Sequence, residues 1–171
     1  MVKLNSRSRF QVEKLTKSIE NALFFSAHGK VDEQDEKVNE TRVDKGKNIT
    51  YTDFLAFAGS RSKETFDLKT GVFKVPSGLG IYEFTFYAFC DGRTEIEVYK
   101  NTVPELIFKN NNQPQSTGNT NKQKRREDSS LGQTWHMKLK QGDMIYLKVG
   151  NGYVAKYHDY TFSVNFIRNI D

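Results

Sequence analysis

A chain of 171 residues has room for one domain with a sizeable core, or for one domain and a short appendage. Its 13 Phe, 8 Tyr and single Trp favour strands over helices. With a mean hydropathy of -0.69 and no apolar run near the roughly 18 residues that span a bilayer, it is expected to be soluble.

The net charge of +5 fits ordinary solubility, or affinity for an anionic surface. The basic residues concentrate in the first twenty positions and in Lys122 to Arg126. Neither cluster is interleaved with aromatics, which argues against single-stranded nucleic acid. One cysteine, Cys90, excludes an internal disulfide. No apolar signal core follows Met1, so the chain reads as intracellular, or as a domain whose leader was removed.

Residues 1–22 read as a short N-terminal helix or neck, and residues 23–171 as the main domain. Ser8 and Gln11 can form a capping box, and Val12, Leu15, Ile19 and Ala22 fall on one helical stripe. That stripe suits packing on its own domain or coiling with copies of itself. Leu23 to Val31 reads as the first strand. Asp32 to Lys47 is charged, lacks periodicity and reads as a mobile loop. Asn39-Glu40-Thr41 and Asn48-Ile49-Thr50 fit the glycosylation acceptor pattern.

From residue 49 onward the apolar period is close to two. Ile49 to Ala58 and Glu64 to Val75 are strand candidates. Tyr82, Phe84, Phe86, Ala88 and Cys90 then share one face, with Ile81, Tyr87 and Phe89 on the other. Asp91-Gly92 signals a two-residue hairpin, and Ile96 and Val98 alternate with Glu95, Glu97 and Tyr99. Asn110 to Ser130 has almost nothing to bury and reads as a long exposed loop. Beyond it, Trp135, Met137 and Leu139 form one alternating face. So do Ile145, Leu147 and Val149, and then Tyr160, Phe162, Val164 and Phe166. Gln141-Gly142-Asp143 and Gly150-Asn151-Gly152 are turns between these runs. Eight to ten short strands with turn signals predict an all-β antiparallel sandwich, barrel or jelly roll.

Catalysis has little support. His28, His136 and His158 are scattered and read as surface histidines. No nucleophile elbow, His-Glu-x-x-His or Cys-x-x-Cys is present. No metal-ligand cluster stands out, and an enzyme is not expected.

Phe66-Asp67, Thr70-Gly71-Val72-Phe73, Pro76 and Gly80-Ile81-Tyr82-Glu83-Phe84-Thr85-Phe86 resemble the signature of the complement C1q globular head domain, within the wider superfamily of tumour necrosis factor. Phe25-Ser26-Ala27, Leu139 with Gly142-Asp143 and Leu147, and Thr161-Phe162-Ser163 extend the likeness in the family's order. One extra residue lies between Phe73 and Gly80, Arg61 and Leu55 replace the usual Asn or Asp and Phe, and Val164 replaces a Gly, which marks a divergent member.

The resemblance implies a ten-stranded jelly roll and a non-enzymatic homotrimer that binds protein, glycan or lipid through exposed loops. It places Ile81, Tyr87 and Phe89 as subunit-interface candidates. The long loop, with Lys122, Lys124, Arg125 and Arg126, becomes the candidate ligand contact. Asn39 and Asn48 become glycosylation candidates on an extracellular protein. Some relatives bind calcium near the trimer top. Here Asn110, Asn111 and Asn112 stand where carboxylates would be needed, so no cofactor is expected. The alternative is the oligomerising head of a cytoplasmic, caprin-like scaffold, which fits the absent leader, the lone Cys90 and the basic N-terminus.

Overall fold

A computed structural model describes residue 11 and residues 23–30, 42–59, 63–76, 78–110, 129–156 and 158–170. The expected N-terminal helix lies outside these residues, apart from Gln11. Twelve strands run through the described residues. They are β1 (Phe24–Gly29), β2 (Arg42–Asp44), β3 (Asp53–Ala58), β4 (Phe66–Asp67), β5 (Val72–Lys74), β6 (Leu79–Cys90), β7 (Glu95–Lys100), β8 (Val103–Lys109), β9 (Ser129–Lys140), β10 (Met144–Asn151), β11 (Tyr153–Ala155) and β12 (Tyr160–Asn169).

Two antiparallel sheets form. The larger is built around β6. β9 pairs with it along its whole length, β12 and β11 share its other side, and β1 and β3 continue beyond β12. β2 pairs with β11 at the far end. The smaller sheet runs β4-β5-β10-β7-β8.

The alternation along the long strands explains the layering. Tyr82, Phe84, Phe86, Ala88 and Cys90 of β6 are buried, as are Leu131, Trp135 and Leu139 of β9. From the smaller sheet come Phe73, Ile96, Val98, Ile145, Leu147 and Val149. Rings meet across the layers: Phe25 stacks on Phe66 at 4.6 Å, Phe73 lies 6.0 Å from Phe84, and Trp135 lies 5.1 Å from Phe108. Each fully buried aromatic contributes about 1.5–3 kcal/mol relative to exposure. The inward faces expected for β6, β9, β10 and β12 are the ones observed.

Four expectations change. Ile49 to Ala58 is not one strand; only Asp53–Ala58 is. Before it, Ile49 N–H donates to Leu147 of the smaller sheet (2.9 Å), and Thr52 N–H donates to His28 of the larger one (2.8 Å). The chain is crossing between layers there, which is why Ile49 and Tyr51 are buried outside any strand. Glu64 to Val75 splits into β4 and β5. Asp67 forms the turn, accepting Lys69 N–H at its side chain (2.9 Å) and Gly71 N–H at its carbonyl (2.8 Å).

The expected loop Asp32 to Lys47 contains β2, where only Val43 points inward. One apolar residue between charged neighbours leaves no periodicity to read. Finally, Asp91-Gly92 does make a turn, with Thr94 N–H on the Asp91 carbonyl (2.8 Å), but it is no hairpin. β6 belongs to the larger sheet and β7 to the smaller. The turns at Gln141-Gly142 and Gly152 switch sheets in the same way.

Candidate functional site

The outer face of the larger sheet carries residues that alternate with the core. On β6 these are Leu79, Ile81, Glu83, Thr85, Tyr87 and Phe89. Their cross-strand partners on β9 are Lys140, Lys138, His136, Thr134, Gly132 and Ser130. The register carries the rows onward: Thr85 to Ser163 to Ser26 to Ala56, and Tyr87 to Thr161 to His28 to Asp53.

The centre of this face is small and hydroxylated. Thr85 Oγ1 lies 3.1 Å from Thr134 Oγ1, and Ser163 Oγ donates to Ser26 Oγ at 2.8 Å. To one side, His136 Nε2 meets Glu83 Oε2 at 3.1 Å. The other side is aromatic. Tyr87 lies beside Gly132, meets Phe89 edge-on at 5.7 Å and is 38% exposed. His158 packs on Phe89 with ring centroids 4.4 Å apart. Ile81 and Phe89 are half-buried. The three interface candidates therefore share one face, and none stands fully in solvent.

The edge of the same sheet was not foreseen. β3 is apolar on both faces, with Leu55 59% and Phe57 51% exposed. Lys63 Nζ lies 4.1 Å from the Phe57 ring centroid, a cation–π cover over part of it. By contrast, the edge strand β8 carries Pro104, Glu105 and Lys109, residues that blunt strand edges.

The long loop has a built base. Asn110 is buried rather than exposed, correcting the reading of Asn110 to Ser130 as solvent-facing throughout. Its Nδ2 donates to Ser129 Oγ (2.6 Å), the Asp91 carbonyl (3.4 Å) and Cys90 Sγ (3.4 Å). Ser129 and Ser130 already belong to β9. The Asn110 Nδ2 is thus committed to the protein. Lys122, Lys124, Arg125 and Arg126 lie outside the described residues, as does Asn39.

Because Asn110 and Ser129 already meet, residues 111–128 are expected to be replaceable. Replacing them with a short Gly-Ser linker is expected to leave the unfolding midpoint within about 1 kcal/mol of wild type, since loop closure costs little per residue. Thermal unfolding followed by circular dichroism checks this, and a drop of several kcal/mol would count against the clamp.

Asn48 is half-buried, and its amide donates to the Thr70 carbonyl (3.4 Å). Among the described residues no group of three or more His, Cys, Asp or Glu could hold a metal ion. The displaced pKa values all move away from neutrality. Burial raises the phenols of Tyr51, Tyr82 and Tyr160, the last to about 12. The Glu97 hydrogen bond raises Tyr99. The Thr70 side chain and the Lys69 amide lower Asp67. Asp143 is lowered although burial opposes it, because the Lys140 amide, Asn101 and Lys100 together outweigh that burial.

The histidines were read as scattered surface residues. His136 is exposed, but His28 and His158 are half-buried, and the Nδ1 of His28 is buried without a hydrogen-bond partner. Their shared face could be found only from the pairing of β1, β12, β6 and β9.

No curated protein sequence matches the chain. Among solved structures, the globular domain of zebrafish complement 1qA is similar with a TM-score of 0.59 and 21% identity, covering 86% of this chain and 99% of its own. The tumour necrosis factor Eiger from S. frugiperda is similar with a TM-score of 0.53 and 14% identity, covering 88% and 95%. At these identities the likeness speaks for the fold, an all-β sandwich of the C1q and tumour necrosis factor jelly-roll type. The family model of the C1q domain matches residues 35–166, more than half of the sequence, and with the two-sheet architecture it places this chain in the C1q domain family.

Proposed function

We propose that the chain is a recognition module, without enzymatic activity, that assembles as a homotrimer through the outer face of the larger sheet and binds protein, glycan or lipid through exposed loops. Membership of the C1q domain family supports a binding module. The observation that carries the assembly is the aromatic end of the outer face. Tyr87 and Phe89 project from the central strand of a sheet whose other face already fills the core. Burying such surface between copies removes it from water, and repeated copies multiply weak loop contacts into useful avidity. The basic loop segment Lys122 to Arg126 is the proposed ligand contact. An extracellular setting is supported by the two acceptor triplets at Asn39 and Asn48.

Sedimentation at micromolar concentration is expected to give three chain masses of 19.7 kDa. Tyr87→Asp and Phe89→Asp are each expected to cost about 2 kcal/mol or more of association, the scale of a buried aromatic anchor. Their unfolding midpoints should stay close to wild type, because both side chains lie outside the core. A wild-type protein that sediments as a single chain would remove the trimer and the avidity with it.

A further inference from the structure

All three histidines of the chain lie on the outer face of the larger sheet. His136 is on β9, His28 on β1, and His158 packs on Phe89 of β6. The smaller sheet carries none. We infer that assembly through this face is acid-sensitive: copies join at neutral pH and separate as the histidines gain charge. This rests on the assembly reading above.

The charges around each imidazole set the sign. His136 faces Glu83 at 3.1 Å, with Lys138 two residues on along the same face of β9. Protonation there is partly compensated by Glu83. His28 lies between Thr161 of β12 and Asp53 of β3. Its backbone carbonyl accepts from Thr52, and Lys30 follows two residues later. One oxygen of Asp53 already accepts Phe54 N–H at 2.7 Å. His158 has Phe89 across its ring, Asp159 beside it in the chain and Lys156 two residues before.

Elsewhere on the face, Lys138 of β9 and Arg168 of β12 lie across from Ile81, in the row next to Glu83, and Lys140 lies one row further, across from Leu79. The face therefore holds the cations Lys138, Lys140 and Arg168 against the carboxylates Glu83 and Asp53, and β2 adds one of each sign, Arg42 and Asp44, before any histidine is charged. Imidazole is the side chain whose charge changes between about pH 5 and 8. Copies related by rotation carry the same residues, so each added charge recurs in every subunit. Burying those charges between copies costs desolvation and like-charge repulsion. In a lone subunit His136 is exposed to water and His28 and His158 are half-buried, the Nδ1 of His28 being buried without a hydrogen-bond partner.

The test is sedimentation velocity of the whole chain at about pH 7.5 and about pH 5.5, a window that brackets histidine titration. Near-UV circular dichroism is recorded alongside. The expected result is three chain masses at the higher pH and a shift toward one at the lower. The half-dissociation concentration should rise at least tenfold, reversibly, with an unchanged dichroism spectrum. A His28→Gln/His136→Gln/His158→Gln variant, judged against its own affinity at the higher pH, is expected to lose that shift.

Equal assembly of the wild type at both values overturns the inference and leaves the trimer intact. A single chain at the higher pH overturns the trimer itself, and the switch with it. Dissociation accompanied by loss of the dichroism signal overturns the switch, since acid is then unfolding the subunit. A triple variant that remains acid-sensitive overturns it too, in favour of carboxylates. If the triple variant does not assemble, the three single His→Gln variants are read instead, and an undiminished acid response in all of them overturns the inference.

Discussion

Gly71→Ala is expected to abolish folded protein at room temperature, or to lower the unfolding free energy by about 4 kcal/mol or more, the scale reserved for strained backbone and steric conflict. Gly71 ends the turn between β4 and β5 with φ at 68°. A side chain in that left-handed region costs about 1 kcal/mol by itself. The larger cost is steric. A Cβ on Gly71 would stand 1.9 Å from the Ile49 carbonyl oxygen.

That oxygen has nowhere to go. Ile49 is fully buried, and its N–H is held by Leu147 at 2.9 Å. Gly71 is held in turn by its own N–H on the Asp67 carbonyl at 2.8 Å. Gly46→Ala separates the two contributions. Gly46 has φ at 82° and nothing within 4 Å of the added carbon, so only the strain of about 1 kcal/mol applies. Soluble yield and thermal unfolding of both variants decide the matter. Equal destabilisation would mean that the close approach to Ile49 is absent.

Asp143→Ala is expected to cost about 3 kcal/mol at neutral pH, the scale for breaking a buried, charge-assisted cluster. Asp143 is 3% exposed and its side chain ties two turns together, its own between β9 and β10 and that between β7 and β8. Its Oδ2 accepts Lys140 N–H at 3.0 Å and lies 3.4 Å from Lys100 Nζ, while its Oδ1 accepts from Asn101 Nδ2 at 3.2 Å. The effect should fade in acid. Burial raises this carboxyl, but the Lys140 amide, Asn101 and Lys100 hold the net value below the ordinary carboxylate range. A carboxyl lowered in the folded state contributes stability above its unfolded pKa of about 3.9, and loses it as pH falls through the folded value. Urea unfolding of wild type and variant should therefore differ at about pH 7 and converge only as pH falls below the unfolded pKa of about 3.9. A constant difference would mean that packing, not charge, carries the effect.

The long strands were legible because one face of each meets the core. Tyr82, Phe84 and Phe86 of β6, or Ile145, Leu147 and Val149 of β10, recur every second residue and all are buried. What a period of two does not state is the partner. Asp91-Gly92 and Gln141-Gly142 announce that the chain turns, and both turns look like hairpins, yet each passes the chain to the other sheet. The local sequence dictates the bend, while the destination depends on which edge lies open in three dimensions.

β2 and β3 were missed or misplaced for opposite reasons. β2 has a single inward residue, Val43, and β3 is apolar on both faces. The family signature supplied the fold that periodicity left open among sandwich, barrel and jelly roll. The candidate face was half legible. Ile81, Tyr87 and Phe89 follow from alternation on β6, but the grouping of positions 28, 136 and 158 requires the register of three strand pairings. Asp143 stood out only as part of a Gly-Asp turn; its hold on Lys100 and Asn101 comes from a separate hairpin.

The position of β12 has a consequence for synthesis. β12 lies between β6 and β1, and Ser26 on β1 meets Ser163 on β12 across 137 positions. Until β12 has emerged from the ribosome, β1 and β3 have no route onto the main sheet, and Phe25 has no lid. The larger sheet therefore closes only after residue 169 has cleared the exit tunnel. Contacts so distant in sequence make for slow closure, and until then the nascent chain shows an aromatic surface that holdase chaperones recognise.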